Sequence, residues 1–266
     1  MKHTIVIPAH DEEKRIAVTL EDYGKLFLED LNQEMVQTEI IVVLNGCSDR
    51  TIDIVKEYET KYPIIRHLEF ERSGKGFAVA EGFNAARNES DYVGFTDADN
   101  STEAIEYYKL LIQLGMHDDG KCVGIIGSRW LEDSIVEPKQ PLMRRFAGRC
   151  FNLLNRIMFN MPYKDTQCGA KIFTSAAAKS VISDLAVTEW AFDTNILYSI
   201  KRQGFTLIEH PVKWKDVKNS KLNIIKTPIR MFLSIWRVRL TYSPFRFIVT
   251  IYDRMPEWIK IHHRLK

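Results

Sequence analysis

The sequence predicts an α/β protein in which helices flank both faces of a mostly parallel, Rossmann-like sheet. Strand-like apolar runs alternate with helical patterns over the first half of the chain, and a polar loop follows most of these runs. This alternation is typical of parallel sheets, because each crossover between parallel strands needs a helix. The chain has 266 residues, of which 45% are hydrophobic. That composition suffices for one large domain or for a domain with an appendage.

Each element of the predicted sheet has its own pattern. Strands are expected at the apolar runs 4–8, 39–44, 92–96 and 123–126. Helices are expected at the amphipathic patterns 12–28, 51–61 and 76–87. Because the carboxyl ends of parallel strands meet at one edge, the loops PAHDEE, NGCSDRT and TDADN should line one crevice, where open α/β sheets bind nucleotides.

Two segments, TDADN and GKG, carry charged residues at positions suited to ligands. Asp97 and Asp99 follow the strand YVGF, and alternation along a strand sends both carboxylates the same way. A solvated turn and a shared cation both fit this local pattern. Gly74, Lys75 and Gly76 precede a helix, where N–H groups and a cation can bind phosphate. A simple turn is the alternative there.

Cysteine spacing and the ends of the chain bear on the compartment. Cys47, Cys122, Cys150 and Cys168 are widely spaced, without metal-ligand spacing, which favours free thiols in a reducing environment. Met1 leads directly into the strand-like HTIVIPAH, which is unlike a secretory signal. The apolar stretches near the C terminus are too short to cross a bilayer. We therefore expect a cytosolic protein without a spanning helix.

Several motifs occur in an order that resembles the family 2 glycosyltransferases of the GT-A fold: IVIPAHDEE, VVLNGCSDRT, GKGFAVAEGFNAA, FTDADNST and IIGSRW. Three later motifs, KDTQCGAKIFT, TEWAFDTNILY and HPVKWKDVKNSKL, are similar to the dolichyl-phosphate glucosyltransferase branch. The resemblance covers roughly residues 4–242. Neither GxGxxG after the first strand nor GxxxxGK[ST] occurs, which disfavours a Rossmann oxidoreductase and a P-loop NTPase.

The resemblance implies an inverting, metal-dependent enzyme that moves a hexose, above all glucose from UDP-glucose, to dolichyl or undecaprenyl phosphate. Asp97 and Asp99 would form the DxD motif, in which Asp99 binds Mg²⁺ or Mn²⁺ on the diphosphate and Asp97 contacts the ribose or the metal. The other residues implied for the donor are Pro8, His10, Glu12, Asn45, Arg72 and Lys75.

The chain departs from the family pattern at one place in this donor loop. Relatives usually carry paired aspartates where this chain has Leu44 and Asn45. Asn45 keeps a polar group, whereas Leu44 leaves the choice between uracil and guanine open. Alternatively, Leu44 merely extends the buried strand.

The acceptor phosphate is expected at arginines, because a guanidinium binds phosphate in a bidentate way. The resemblance implies Arg129 and a second arginine, with Arg145 favoured over Arg144. Arg149, in the same segment, is a further candidate for the acceptor, but it is equally consistent with a solvated basic helix face. A phosphate monoester is anionic at neutral pH, so no strong general base is obligatory.

Further candidates surround the region where relatives that use a hydroxyl acceptor keep a catalytic carboxylate. Asp193 occupies that region, and in this chain it would hold the sugar or an acceptor-site arginine instead. Asp165 is expected to cap a turn. The remaining candidates are Gln167, in the same DTQCG segment, and Trp190 as an aromatic wall. Trp190 and Phe192 are equally consistent with core positions.

The C-terminal tail gives separate evidence for a lipid. Residues 218–266 carry eleven Lys and Arg against two acidic residues, although the net charge of the chain is only +2. A helix from Asn223 onward would present one apolar face, made of Ile225, Ile229, Phe232 and Trp236. It would carry Lys226, Arg230 and Arg237 on its flank.

We therefore expect residues 1–220 to form the catalytic domain and residues 221–266 to form basic amphipathic helices on a membrane surface. The protein would be peripheral on the cytoplasmic face. A helix that packs on the body is the alternative for the tail.

Other functions remain open at this point. A GDP-mannose-dependent polyprenyl-phosphate mannosyltransferase is one alternative, and a family 2 enzyme that glycosylates a glycan hydroxyl with Asp193 as base is another. Nucleic-acid binding is disfavoured, because the basic tail is apolar-periodic and no RNP-like motif appears. The sequence leaves the oligomeric state open.

Overall fold

The structure, a computed structural model, describes residues 1–32, 34–86, 88–117, 120–138, 141–183, 185, 191–216 and 226–255. Its strands are β1 (Lys2–Ala9), β2 (Gln37–Asn45), β3 (Ile65–Phe70), β4 (Tyr92–Phe95), β5 (Cys122–Ser128), β6 (Ile135–Glu137), β7 (Lys171–Thr174), β8 (Thr206–Pro211) and β9 (Lys213–Lys215). Its helices are α1 (Ile16–Lys25), α2 (Thr51–Lys61), α3 (Lys75–Ala85), α4 (Ala104–Met116), α5 (Leu142–Phe159), α6 (Ser175–Ser183), α7 (Phe192–Arg202), α8 (Lys226–Thr241) and α9 (Arg246–Arg254).

Seven strands form the main sheet, in the order β3-β2-β1-β4-β7-β5-β8. β7 runs antiparallel to both of its neighbours, β4 and β5, whereas the other pairs are parallel. β6 and β9 form a separate two-stranded parallel pair. The predicted fold class, a mostly parallel sheet flanked by helices, is confirmed.

The predicted strands are present because their apolar runs are covered on both faces of the sheet. β1 and β2 are buried at every position after their first residue, as expected for central parallel strands. β4 is buried at all four positions. Because β1 pairs in parallel with both β2 and β4, the carboxyl ends of these three strands meet at one edge, as the sequence predicts.

The structure corrects the sequence prediction in two respects. Five of the described strands were not predicted. β3 and β8 are only partly buried, β6 and β9 have three residues each, and β7 has four residues and begins with a lysine. The first helix begins at Ile16 rather than at Glu12. Residues 12–15 form a turn in which Glu12 O accepts hydrogen bonds from Arg15 N–H and Ile16 N–H.

Two apolar cores lie on the two faces of the sheet. α1, α2 and α4 cover one face, and α3, α6 and α7 cover the other. α8 adds Ile235 and Val238 to the second core, so this helix packs on the body. Its Phe232 and Trp236, which belong to the predicted apolar face, are 44% and 46% exposed. Ile225 and the side chain of Ile229, which were predicted for the start of that face, lie outside the described part of the chain.

The remaining expectations about the chain concern thiols and membrane spans. All four cysteines are free, as predicted. Among the described residues, each helix is too short or too polar to cross a bilayer.

Candidate active site

The loops after β1 and β2 are joined by reciprocal hydrogen bonds. His10 Nδ1 lies 2.9 Å from Asn45 O, and Ser48 N–H donates to Asp11 Oδ1 at 2.7 Å. Asn45 is buried. With its amide oriented to satisfy both neighbours, it donates to Ala9 O at 2.6 Å and accepts from Gly74 N–H at 2.9 Å. The structure thus brings together three of the predicted donor loops, and Asn45 is the link between them.

Leu44 is fully buried within the core under α1 and α2. Its side chain therefore extends the buried strand, which was one of the two readings of this position. Beyond it, the ends of β2 and β3 border a cleft of about 340 Å³ lined by Gly46, Cys47, Ile52 and Glu69 among others.

The loop that carries Asp97 and Asp99 is held in place by α1. Thr19 Oγ1 donates to Ala98 O at 2.8 Å, and Tyr23 OH donates to Thr102 O at 3.0 Å. Asp22 Oδ2 accepts from Ala104 N–H at 2.9 Å, where α4 begins. Helix α1 therefore fixes the position of both carboxylates.

Each of the two carboxylates has a cation beside it. Lys75 Nζ lies 2.6 Å from Asp97 Oδ1, and Arg15 Nη1 lies 3.8 Å from Asp99 Oδ2. Arg15 also holds Glu12, with Nε–Oε2 and Nη2–Oε1 distances of 2.7 and 2.6 Å. Lys75, Glu12 and Asp97 were predicted at this site, whereas Arg15 was not. Its only signal in the sequence is its place in the loop after β1.

The pKa values of the two aspartates move in opposite directions. Burial would raise the pKa of Asp97, but the charge and hydrogen bond of Lys75 hold it below its usual value. Burial and the charge of Asp97 raise the pKa of Asp99 above its usual value. Asp99 is thus the carboxylate whose negative charge is least compensated by the protein.

A divalent cation fits this arrangement. Asp97 and Asp99 are 36% and 25% exposed, and the buried Oδ1 of Asn100, the next residue, has no hydrogen-bond partner in the described part of the chain. Within that part, no cluster of three or more His, Cys, Asp or Glu residues is arranged to hold a metal. Mg²⁺ is commonly held by one or two carboxylates together with substrate phosphates and water, which is the donor set available here.

Gly169 packs directly against Asp97. A Cβ atom at this position would lie 2.0 Å from Asp97 Oδ2, far inside van der Waals contact, so the approach requires glycine. Gly169 lies in the motif KDTQCGAKIFT, and no local pattern in the sequence pairs it with Asp97. The motif after α5 thus supports the carboxylate edge directly.

Arg129 is held by a fully buried carboxylate. Its Nε and Nη2 donate to Asp165 Oδ2 and Oδ1 at 2.6 and 2.9 Å, and its backbone N–H donates to Oδ2 at 3.0 Å. Burial would raise the pKa of Asp165, but Arg129 holds it below its usual value. Asp165 Oδ1 also accepts from Gln167 N–H at 3.1 Å, as predicted for a turn cap. The pairing of Arg129 with Asp165 was not predicted.

The other arginines lie on α5 and near β9. Trp214 in β9 lies under Arg129, with 5.2 Å between the guanidinium carbon and the ring centroid. Two residues later, Asp216 Oδ1 accepts from Arg144 Nη1 at 2.9 Å. β9 therefore connects Arg129 to the first turn of α5, where Arg144 and Arg145 are both partly exposed.

Two predicted arginines are in contact with aromatic rings. Arg149 stacks over Trp130 at 5.1 Å, and Arg72 stacks over Phe77 at 4.7 Å. Pro8 is buried near the end of β1.

Asp193, at the first turn of α7, is ion-paired. Its Oδ1 lies 2.5 Å from Lys171 Nζ, and the Lys171 side chain is fully buried. Lys171 was not predicted, because a lysine in a four-residue strand is no local signal of a site. Phe192 is core, 1% exposed and 6.0 Å from the Phe95 ring. Trp190 lies outside the described residues.

Comparisons with known proteins agree with this architecture. The model of the family Glycosyl transferase family 2 matches residues 4–179. A dolichyl-phosphate beta-glucosyltransferase from Dictyostelium discoideum is 32% identical over 246 residues, which cover 90% of this chain and 74% of that protein. The Homo sapiens protein of the same name is 28% identical over 247 residues, covering 90% of this chain and 75% of its own.

Solved structures show the same fold. Glucosyl-3-phosphoglycerate synthase from Mycobacterium tuberculosis, in complex with Mn²⁺, UDP and glucosyl-3-phosphoglycerate, superposes with a TM-score of 0.65 at 15% identity. The match covers 90% of this chain and 79% of that one. With a family model that matches about two thirds of its length and a relative above 30% identity, the chain belongs to glycosyl transferase family 2 and is a glycosyltransferase of the GT-A fold.

Proposed function

We propose that the protein is an inverting, metal-dependent hexosyltransferase that moves glucose from UDP-glucose to a polyprenyl phosphate, dolichyl or undecaprenyl, at a membrane surface. The names of its relatives support a dolichyl-phosphate acceptor and glucose as the sugar. One observation carries the proposal: α5 combines arginines in its first turn with an apolar face that is exposed along its length.

Helix α5 packs on the body through Phe159 and two buried asparagines, and it leaves a stripe of apolar residues exposed. Asn152 and Asn155 face inward, where Asn152 Oδ1 accepts from Thr166 Oγ1 at 2.7 Å and Asn155 Nδ2 donates to the same hydroxyl at 3.0 Å. The outward stripe is apolar, and each of its residues is more than half exposed: Leu142, Met143, Phe146, Leu153 and Ile157. Such a face is stable where the surroundings are themselves apolar.

The C-terminal helices extend this apolar surface. α8 packs near α5 and exposes Phe232 and Trp236, and α9 exposes Phe247, Ile248 and Ile251. Arg237 pairs with Asp253 across α8 and α9 at 2.7 Å. We propose that residues 221–266, together with α5, lie on the cytoplasmic face of a membrane, while residues 1–220 carry the catalytic chemistry.

On the donor side, the proposal gives each charged residue a task. Asp97 and Asp99 would hold Mg²⁺ or Mn²⁺, which when bound neutralises charge on the departing diphosphate. Lys75 lies beside Asp97 at the start of α3, where its cation and the helix N terminus favour the same phosphates. His10 and Glu12 belong to the loop that would border the nucleotide.

On the acceptor side, Arg129 and the first turn of α5 would bind the lipid phosphate. The phosphate is anionic at neutral pH, so its oxygen attacks the anomeric carbon without a general base. The bond to the diphosphate breaks with its electron pair going to the leaving oxygen, and in-line attack inverts the anomeric centre. Because Asp193 is already paired with Lys171, it is poorly suited to remove a proton from a glycan hydroxyl.

The direct test offers radiolabelled UDP-glucose, GDP-mannose and other sugar nucleotides to the enzyme with polyprenyl phosphate and Mg²⁺ or Mn²⁺. The lipid-linked product is then measured by solvent extraction. We expect UDP-glucose to give the product. Asp99→Asn should abolish it, whereas Asp53→Asn on the exposed surface of α2 should not. Extraction of label only from the GDP-mannose reaction, or transfer only to a glycan, would refute the proposal.

Membrane binding is tested by liposome flotation. Leu153→Glu on the stripe of α5 and Phe247→Glu on α9 should each weaken flotation with anionic vesicles. Val18→Glu is the matched control, since Val18 is a similarly exposed apolar residue on α1. Equal flotation of all three variants would contradict the assigned surface.

A further inference from the structure

Lys171 is a fully buried cation at the centre of the sheet. It begins β7 and lies opposite Phe95, the last residue of β4, in the register of the two strands. Its Nζ donates to Cys168 O at 2.6 Å and to Asp193 Oδ1 at 2.5 Å, and it lies 5.2 Å from the centroid of the Phe95 ring. A buried ammonium is costly unless it is paired, so Asp193 is a required partner.

This pair is next to the carboxylate edge of the donor site. Lys75 Nζ lies 5.5 Å from the same Phe95 ring and 2.6 Å from Asp97 Oδ1. The charges of Asp97 and Asp193 both act on Lys75. Two lysines and two aspartates thus lie around one aromatic ring, with Asp97 on the exposed side and Lys171 on the buried side.

Asp193 is the member of the pair that reaches the surface. Its recorded contact with Lys171 uses Oδ1 alone, and its side chain is 12% exposed. An ionised carboxylate with one oxygen occupied has its other oxygen available as a strong acceptor, and the hydroxyls of a sugar are donors of the matching kind.

We propose that Lys171 is a positioning residue for the donor sugar, acting through Asp193. The buried ammonium fixes the rotamer of Asp193, so that Oδ2 accepts a hydrogen bond from a hydroxyl of the bound hexose. This inference rests on the proposed function, because it requires a sugar nucleotide at the Asp97 edge. In this proposal, Asp193 holds the sugar, and the acceptor phosphate attacks because it is itself negatively charged.

The test separates binding of the sugar from binding of the nucleotide. Calorimetry with Mg²⁺ and without acceptor compares UDP-glucose with UDP, and GDP-mannose with GDP as the parallel pair. Lys171→Met should lower the affinity for the sugar nucleotide by about tenfold, for whichever of the two the wild type binds better. It should change the affinity for the corresponding nucleoside diphosphate by no more than about twofold. In turnover assays, the KM for the donor should rise about tenfold, while the KM for the acceptor stays constant.

Double variants test whether Lys171 acts through Asp193. Asp193→Asn should show the same selective loss, and Lys171→Met combined with Asp193→Asn should bind no more weakly than the weaker single variant. Losses that multiply to about a hundredfold would overturn the proposal. So would equal loss of UDP and UDP-glucose, which is the signature of a merely structural role.

Folding controls keep the outcome decisive. Lys171→Met leaves a carboxylate unpaired beside the core, so thermal unfolding is measured for each variant. If either single variant fails to fold, the double variant, which buries no lone charge, is compared with the wild type: it should bind the sugar nucleotide about tenfold more weakly and the nucleoside diphosphate within about twofold. The exposed pair of Lys61 and Glu21 is the matched control: Lys61→Met should change neither affinity. Because binding is measured without lipid, a failed transfer assay would not alter this result.

Discussion

Gly169→Ala should disable the proposed donor site by displacing Asp97. The new Cβ would lie 2.0 Å from Asp97 Oδ2, whereas ordinary contact begins at 3.4 Å. The carboxylate or the loop must therefore move by about 1.4 Å. Asp97 Oδ1 is now 2.6 Å from Lys75 Nζ, and a shift of that size in the wrong direction takes the pair beyond hydrogen-bond distance. Misplacement of a reacting group by about 1 Å typically costs about a hundredfold in rate.

The assay is kcat/KM for transfer, measured with the thermal unfolding midpoint of the same preparation. We expect a loss of about a hundredfold with the fold retained. Gly115→Ala in α4 is the control, because its Cβ would meet only the flexible end of Met1 at 3.2 Å. Activity of Gly169→Ala within threefold of the wild type would refute the reasoning, since it would mean that Asp97 tolerates displacement.

Three further predictions concern stability. Arg129→Ala leaves the buried Asp165 unpaired and should lower the free energy of unfolding by about 3–5 kcal/mol; a loss below about 1 kcal/mol in a urea titration would contradict the pairing. Because the folded pKa of Asp165 is depressed, the pair stabilises the fold above about pH 4, and this contribution is lost as the pH falls through the folded pKa. Burial lowers the pKa of His3 to about 3, so below about pH 6.5 the unfolded chain alone gains its proton, and stability should fall by about 1.4 kcal/mol per pH unit down to about pH 4. His3→Phe should flatten that slope in denaturant titrations, and an unchanged slope would exclude His3 as its source. Gly94→Ala would place a Cβ 2.1 Å from Tyr107 Oη and 2.6 Å from Lys171 O; it should prevent soluble expression, and a folded variant with an unshifted melting temperature would contradict that packing.

The central strands were predictable because burial on both faces leaves a continuous apolar run. β1, β2, β4 and β5 carry that signal. β3 lies at the edge of the sheet and is only partly buried, so its pattern is weaker. β7 is antiparallel, short and starts with a charged residue. Neither an alternating pattern nor a continuous apolar run in the sequence marks such a strand.

Candidates for the site could be named from the sequence where one loop carries several charged residues. Asp97 and Asp99 follow a strand directly, and Lys75 starts a helix after glycine, so local pattern and resemblance single them out as candidates. The partners of these residues come from distant parts of the chain: Lys171 pairs with Asp193, and Gly169 packs on Asp97. Sequence spacing gives no distance between such residues, and only the fold brings them together.

The tail shows the same limit in a different form. The periodicity of residues 223–237 indicated one apolar face, and the aromatic residues on it, Phe232 and Trp236, are exposed. The buried face of α8 is made by Ile235 and Val238, which were not part of that face. The inward direction of Asn152 and Asn155 in α5 was not predicted, because it depends on hydrogen bonds to Thr166, a residue outside the helix.

The central claim is that Asp97 and Asp99 anchor the donor diphosphate through a divalent cation. The most direct measurement is anomalous diffraction from crystals soaked with Mn²⁺ and UDP-glucose. We predict a manganese peak within bonding distance of Asp99, with the diphosphate beside Lys75 and the glucose toward Asp193. Ordered nucleotide elsewhere on the protein, with no anomalous peak at this edge of the sheet, would contradict the account.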